Sequence, residues 1–286
     1  SVVRWTRVWK GVGPAAAAVF RRFGPVVIGL GALQLSTMID QLIAMWPVWI
    51  DPRFTHAIFG SSPFPLDDSS NAILSTTTRF YQFPLGVFGL AVATAIFPLL
   101  TRTANDPAAF THMLRRGLRI SLLIGLPASA GLFIVSSDLV SVMLSGGSAS
   151  FSANGIERSA AVLVGFAPAV WVYSLNNVLT RAFYSRGNTA TPMVVSLISV
   201  ILNLIFNLIL IWPLREAGLA VATAASASVQ LALLLYLCRS RLGIVAIDRQ
   251  TAVAAARTLL CTLLMSAALW TTAHFLPHAD TWWNHA

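Results

Sequence analysis

The chain has 286 residues, of which 56% are hydrophobic and only 10% charged, with a mean hydropathy of +0.74. A soluble domain is about one quarter charged, so a water-exposed globular fold is excluded. The formal charge of +9 does not imply nucleic acid, because the basic residues lie between apolar blocks and do not gather with aromatic partners on one face.

Those blocks run to about 20 residues, the length at which a helix crosses a ~30 Å hydrocarbon core. A strand barrel would alternate over segments of about ten residues instead. The expected fold is therefore all-α, a polytopic membrane helix bundle of about seven transmembrane helices. Residues 1–24 read as an interfacial cytoplasmic segment, with Arg4, Arg7 and Lys10 interleaved with Trp5, Val8 and Trp9. The run Ala15 to Phe20 is closed at once by Arg21 and Arg22, which is not how a secretory signal is built. The first residue is Ser rather than Met, and a piece of a longer protein is expected.

Seven spans follow in chain order: Pro25 to Val48, Ala72 to Leu100, Leu118 to Val135, Ala160 to Leu179, Thr191 to Ile211, Gly218 to Leu237 and Ala252 to Phe275. Prolines within them are tolerated where neighbouring helices satisfy the freed carbonyls, and kinks are expected at Pro84 and Pro168. The sixth span is crowded with Gly218, Ala220, Ala222, Ala224 and Ala225. Small residues let helices approach closely in lipid, so this span is expected in the middle of the bundle. Residues 25–240 read as one six-helix lobe, and 241–286 as a linker, one extra transmembrane helix and an outer tail.

Lys and Arg mark the cytoplasmic loops. One side collects Arg4, Arg7, Lys10, Arg21, Arg22, Arg102, Arg115, Arg116, Arg119, Arg181, Arg186, Arg239, Arg241, Arg249 and Arg257; the other holds only Arg53, Arg158 and Arg215. The alternation from loop to loop predicts a cytoplasmic N-terminus. The acids Asp51, Asp67, Asp68, Asp138, Glu157, Glu216 and Asp280 fall on the outer side.

One arginine, Arg79, lies inside the second span. A charge at the bilayer centre costs on the order of 2.5 to 3.5 kcal/mol on the insertion scale, so it faces either a cavity or, by snorkelling, the headgroups. Gln82 lies on the same helix face. The second intramembrane charge is Asp40, in the first span. At matching depth stand Asn203 and Asn207, four apart and so on one face, and Thr223 with the carbonyl of Leu219. An all-oxygen set with a single carboxylate suits Na⁺; a proton on Asp40, with the amides merely bonding between helices, is the competing reading.

An enzyme is not expected. His56, His112, His278 and His285 fall in loops or tails and His274 at a span end, without carboxylates at ligand spacing. Gly29 and Gly31 lack a third glycine, since Gln34 stands in its place, and no nucleotide loop follows. Cys238 and Cys261 are too few for a redox or metal motif.

Four segments, in order, resemble the MurJ (MviN) lipid II flippase family: RFYQFPLGVFG from Arg79 to Gly89, continuing through AVATAIFP to Arg102; GLPASAG from Gly125 to Gly131; RAFYSRGNTATP from Arg181 to Pro192; and Asn203 to Asn207 followed by Pro213 and GLAVAT from Gly218 to Thr223. The resemblance implies a fourteen-helix transporter of the multidrug/oligosaccharidyl-lipid/polysaccharide exporter superfamily in the bacterial inner membrane, of which this chain supplies helices seven to thirteen without the N-terminal lobe. It implies lipid II as cargo, with membrane lipids as partners and no nucleic acid. It implies substrate-binding roles for Arg79 and Gln82, and a cation site at Asp40, Asn203, Asn207, Leu219 and Thr223. Thr78 departs from the family, where an acidic residue commonly precedes the arginine. The alternatives are an exporter of another polyprenyl-linked oligosaccharide and a non-transporting lipid-binding half-lobe.

Overall fold

The computed structural model describes Gly24, Val27, Gly29, Gly31 and residues 34–49, 64–144 and 152–275. The expected interfacial segment as far as residue 23, Arg53, and the tail after Phe275 lie outside the described residues. Among the described residues all regular structure is helical, and six helices are long and apolar enough to cross a membrane. A further helix, α1 (34–44), belongs to the first predicted span and continues after a turn at Met45 as Trp46–Trp49. The six are α2 (Ser70–Arg102), α3 (Pro107–Leu144), α4 (Ala153–Ser185), α5 (Ala190–Leu214), α6 (Glu216–Leu242) and α7 (Arg249–Phe275).

The helices outrun the apolar stretches that announce them. The third span, expected over 118–135, is a 38-residue helix. Its charges Arg115, Arg116, Arg119 and Asp138 end the apolar run but not the backbone ladder, because termini are set by caps. Asp106 Oδ1 accepts from the backbone N–H of Ala108 and Ala109 at 3.0 and 3.1 Å, and Pro107 occupies the first helical position, where a missing N–H costs nothing. At α4, Ser152 Oγ accepts from the Gly155 N–H at 3.2 Å, so Glu157 and Arg158 lie inside the first turns.

Of the two expected kinks, Pro84 coincides with a change of helix type: the chain continues as a π-helical turn over Leu85–Leu90. Proline removes one i→i−4 bond and crowds the preceding turn, and a widened turn absorbs both. Through Pro168 the α-helix is unbroken.

The most buried helix of the bundle is α4, with α6 next to it in burial. Of the residues in α4's most apolar stretch, 78% are buried, against 56% in α6. α4 packs on α2, α3 and α6, while α5 lies on α6 and α7 lies on α3. The small residues of α6 mark a seam with α4: a Cβ on Gly165 would stand 2.9 Å from Ala220 Cβ and 3.2 Å from the Ala217 carbonyl. Close backbone approach replaces the hydrophobic drive that lipid cannot supply. α2 joins α4 through Tyr81, stacked on Phe166 with centroids 4.2 Å apart.

Ion pairs tie each end together. At one end Arg158 pairs with Asp67 at 2.8 Å and with buried Glu216, while Arg215 reaches Asp67 at 3.1 Å and the Pro65 carbonyl at 2.8 Å. The hydrogen bond from Arg158 holds the Asp67 carboxyl well below the usual carboxylate range. At the arginine-rich end Arg115 pairs with Asp248 at 3.1 Å and donates to the Val245 carbonyl, fixing the linker before α7 against α3.

Candidate functional site

Each intramembrane polar residue singled out in the sequence lies in one of two adjoining places. The first is a buried cluster between α1, α5 and α6. Asp40 is 4% exposed, and Asn203 and Asn207 are fully buried. Asn207 Nδ2 donates to Asp40 Oδ1 at 2.6 Å, and Thr223 Oγ1 lies 3.0 Å from both Asp40 Oδ2 and the Leu219 carbonyl. Asn203 Nδ2 donates to Thr223 Oγ1 at 3.3 Å, and Asn207 Nδ2 also approaches Asn203 Oδ1 at 3.4 Å. The four-residue spacing on α5 stacks the two amides over one another, and the same spacing on α6 sets the Thr223 hydroxyl over the Leu219 carbonyl.

The chemistry of this set fits a hard monovalent cation. All the acceptors are oxygens, of the kinds that suit such ions, and only one carries formal charge. Asn207 Oδ1 is buried without a hydrogen-bond partner among the described residues. Buried acceptors are normally satisfied, so this one is free to accept from a further donor or to ligate an ion. Among the described residues no group of three or more His, Cys, Asp or Glu side chains is placed to hold a metal, which sets this cluster apart from a transition-metal centre.

The second place is a polar recess of about 310 Å³ between α1 and α2, lined by Gln34, Thr37, Gln41, Ser75, Arg79 and Gln82 among others. Arg79 is exposed at its wall and has no ion-pair or hydrogen-bond partner among the described residues. Thr78, which precedes Arg79, is buried and donates its hydroxyl to the Leu74 carbonyl at 2.7 Å. The guanidinium therefore borders polar side chains with all its donors available.

Two features escaped the sequence reading. A cavity of about 330 Å³ adjoins the recess, shares Gln34 and Gln82 with it, and is also lined by Ser36, Asn176, Ser196, Ser199 and Gln230. Each of these is an ordinary helix-to-helix hydrogen-bonding residue when taken singly. The available signal was the spacing of Ser196, Ser199, Asn203 and Asn207 at three- and four-residue steps. The second is an apolar groove of about 560 Å³ between α3, α4 and α7, lined by Phe133, Trp171, Leu263 and Trp270 among others.

The family model described as "Lipid II flippase MurJ" matches residues 2–283. The chain belongs to that family. Curated relatives named as probable lipid II flippases agree: the protein of Vibrio cholerae is 28% identical over 263 residues, covering 91% of this chain and 46% of the relative, and that of Rickettsia prowazekii is 28% identical, covering 92% and 48%. The chain thus spans about half the length of the curated relatives it matches. Among solved structures, a lipid II flippase MurJ in an inward closed conformation superposes with a TM-score of 0.72 at 19% identity, covering 94% of this chain and 50% of that one. An outward-facing MATE-family transporter of the MOP superfamily gives 0.60 at 17% identity, covering 88% and 54%. At these identities the likeness is one of fold, over about half the length of each of those chains. The family is one of transporters, not catalysts.

Proposed function

We propose that this chain is the C-terminal part of a flippase that carries lipid II, the undecaprenyl-diphosphate-linked peptidoglycan precursor, from the cytoplasmic to the outer leaflet of the bacterial inner membrane. Residues 25–240 form one lobe, facing a partner lobe of the complete protein across an alternating-access cavity, with the arginine-rich end and the N-terminus in the cytoplasm. The observation that carries this reading is Arg79: a guanidinium unpaired among the described residues, on a membrane helix at the wall of a polar recess with Gln82. A planar guanidinium holds phosphate oxygens with two parallel donors, and a diphosphate is the part of such a cargo most costly to move through hydrocarbon. Gln82 adds a neutral donor one turn away. The apolar groove against α7 supports a place for the polyprenyl tail.

Asp40, Asn203, Asn207, Thr223 and the Leu219 carbonyl would hold Na⁺. Its charge neutralises the buried carboxylate. A conformation in which these five groups converge is favoured by the ion over one in which they part, and the bias equals the difference in affinity between the two. The membrane potential, about 2.3 kcal/mol per charge per 100 mV, is of a size to act on such an equilibrium.

The test is replacement of Arg79 by Ala in the complete gene product, expressed in cells depleted of their own lipid II flippase. Rescue is expected to be lost at an unchanged protein level. Full growth would remove Arg79 from cargo binding.

A further inference from the structure

Three helices carry polar residues inward in registers that point the same way. On α5, Ser196, Ser199, Asn203 and Asn207 are buried at steps of three, four and four, which is one helix face. The opposite face is apolar and exposed, with Ile201 at 59%. α5 is thus inside-out by the standards of a soluble amphipathic helix, with its polar stripe toward the bundle. On α1, Ser36 and Asp40 are buried four residues apart, and on α6 Thr223, Ser226 and Gln230 follow steps of three and four.

Each stripe has the cation cluster at one end and the 330 Å³ cavity at the other. Hydrogen bonds connect them: Ser199 Oγ donates to the Ser226 carbonyl at 3.2 Å, Ser226 Oγ to the Thr223 carbonyl at 3.0 Å, and Gln230 Nε2 to Ser196 Oγ at 3.2 Å. Asn176 at the cavity wall gives its amide hydrogen to the Ala227 carbonyl at 3.0 Å and keeps a buried Oδ1 without a partner. At about 30 Å³ per molecule the cavity has room for on the order of ten waters. Uncharged amides and hydroxyls around water hydrate a passing cation without trapping it, as a charged wall would.

The two sides of Asp40 differ. The cavity lies toward the arginine-rich end, since Ser196 and Ser199 precede Asn203 on α5 and Gln230 follows Thr223 on the way to Arg239 and Arg241. Toward the other end stand three aromatic rings and an ion-pair network. Trp46 stacks on Phe64 with centroids 6.1 Å apart, Phe64 meets Trp212 edge-on at 6.5 Å, and the Arg158, Asp67 and Glu216 network lies at the same end.

We propose that the cavity is the access vestibule of the cation cluster, and that in this conformation the ion reaches and leaves Asp40 only from the cytoplasmic, arginine-rich side, with the Trp46, Phe64 and Trp212 rings closing the outer side. This rests on the reading of Asp40 and its neighbours as a cation site. The vestibule shares Gln34 and Gln82 with the recess that holds Arg79, so cargo and ion exchange through adjoining water.

The test uses the complete gene product with Cys238 and Cys261 replaced by Ala. Ser196→Cys and the lipid-facing Ile201→Cys are treated with a small cationic methanethiosulfonate, which needs a water-exposed thiolate, in vesicles of either orientation. Ser196→Cys is expected to react at least about tenfold faster than Ile201→Cys, and only from the cytoplasmic face. Equal rates, or faster reaction from the outer face, overturn the proposal. Filling the cavity with Ser196→Leu is expected to slow ²²Na⁺ exchange while leaving Na⁺ affinity unchanged; an unaltered exchange rate also overturns it. Na⁺ binding to Asp40→Asn separates the two readings. Binding lost there while Ser196→Cys stays unreactive removes the vestibule alone, whereas binding retained there removes the cation site beneath it.

Discussion

Asn207 donates to Asp40 across the gap between α5 and α1 at 2.6 Å, yet its own buried carbonyl oxygen has no donor. Among the described residues the carboxylate is thus held by the neutral donors Asn207 and Thr223. A buried unpaired charge is costly, and a cation that uses the idle oxygen relieves that cost.

Thermal unfolding as a function of Na⁺ reads this directly. A ligand that binds only the folded state stabilises it by about 2.7 kcal/mol at a hundredfold excess over its Kd. The parent protein is expected to gain melting temperature with Na⁺ and not with equal ionic strength of a large organic cation. Asp40→Asn is expected to abolish the gain, and Asn207→Leu to reduce it. A full Na⁺ response in Asp40→Asn would assign the cluster to helix-to-helix bonding only.

Glu216 is 2% exposed and shared between Arg158 and Ser70. Removing one partner of a buried pair strands the other, typically at about 3 to 5 kcal/mol, whereas replacing both by apolar groups is often far less harmful. Glu216→Leu is therefore expected to lower stability more than the Arg158→Met/Glu216→Leu double variant does, in a double-mutant cycle of thermal melts. Additive losses would show that the two side chains do not act as a unit.

How much of this was legible in sequence depends on whether a residue interrupts an apolar run. Asp40, Arg79, Asn203 and Asn207 do so conspicuously; spacing along one helix paired Asn203 with Asn207, and matching depth in the span joined Asp40 to them. Ser36, Asn176, Ser196, Ser199 and Gln230 do not, because hydroxyls and amides are common in membrane helices, and only the arrangement of five helices makes a cavity of them. The ends show the same contrast. The arginines of α3 looked like loop markers, but Asp106 and Pro107 begin the helix before them. Arg158, Glu216 and Asp67 were sorted to one side by alternation, while their mutual contact over 91 and 58 positions is a tertiary fact. The deep burial of α4 was hidden because its large buried residues, such as Phe166 and Phe183, resemble those of any span.

Asp67 makes the outer network dependent on pH in a stated direction. Its carboxyl is lowered from the ordinary value first by the hydrogen bond from Arg158. A depressed folded-state pKa means that the stabilising contribution is complete above the unfolded pKa, about 4, and is lost as pH falls further through the folded value. The side chain is 46% exposed, so each of its pairs is worth at most about 1 kcal/mol. The melting-temperature gap between parent and Asp67→Asn is expected to be flat from pH 7 to about 5 and to narrow below about 4. A gap that closes already between pH 7 and 5 would assign the effect to another group.

The α4–α6 seam offers the sharpest packing test. Gly165 faces Ala220 Cβ and the Ala217 carbonyl at distances that leave no room for a side chain, and Gly218 on α6 is pressed still closer, where a Cβ would collide with the Leu210 carbonyl. The two collisions differ in kind. At Gly165 the obstacle includes a methyl group, which moves if the helices part, whereas at Gly218 it is the backbone of the preceding helix end, beside Arg215 with its φ of 53°. Gly165→Ala is accordingly expected to cost about 1 to 3 kcal/mol, the usual range for overpacking, and Gly218→Ala more than that. Ala220→Gly should partly rescue Gly165→Ala, because it removes the methyl in contact, and should do nothing for Gly218→Ala. Melting temperatures of the four variants in one detergent decide the matter: failure of Ala220→Gly to discriminate between the two would mean that the α4–α6 approach is set elsewhere along the seam.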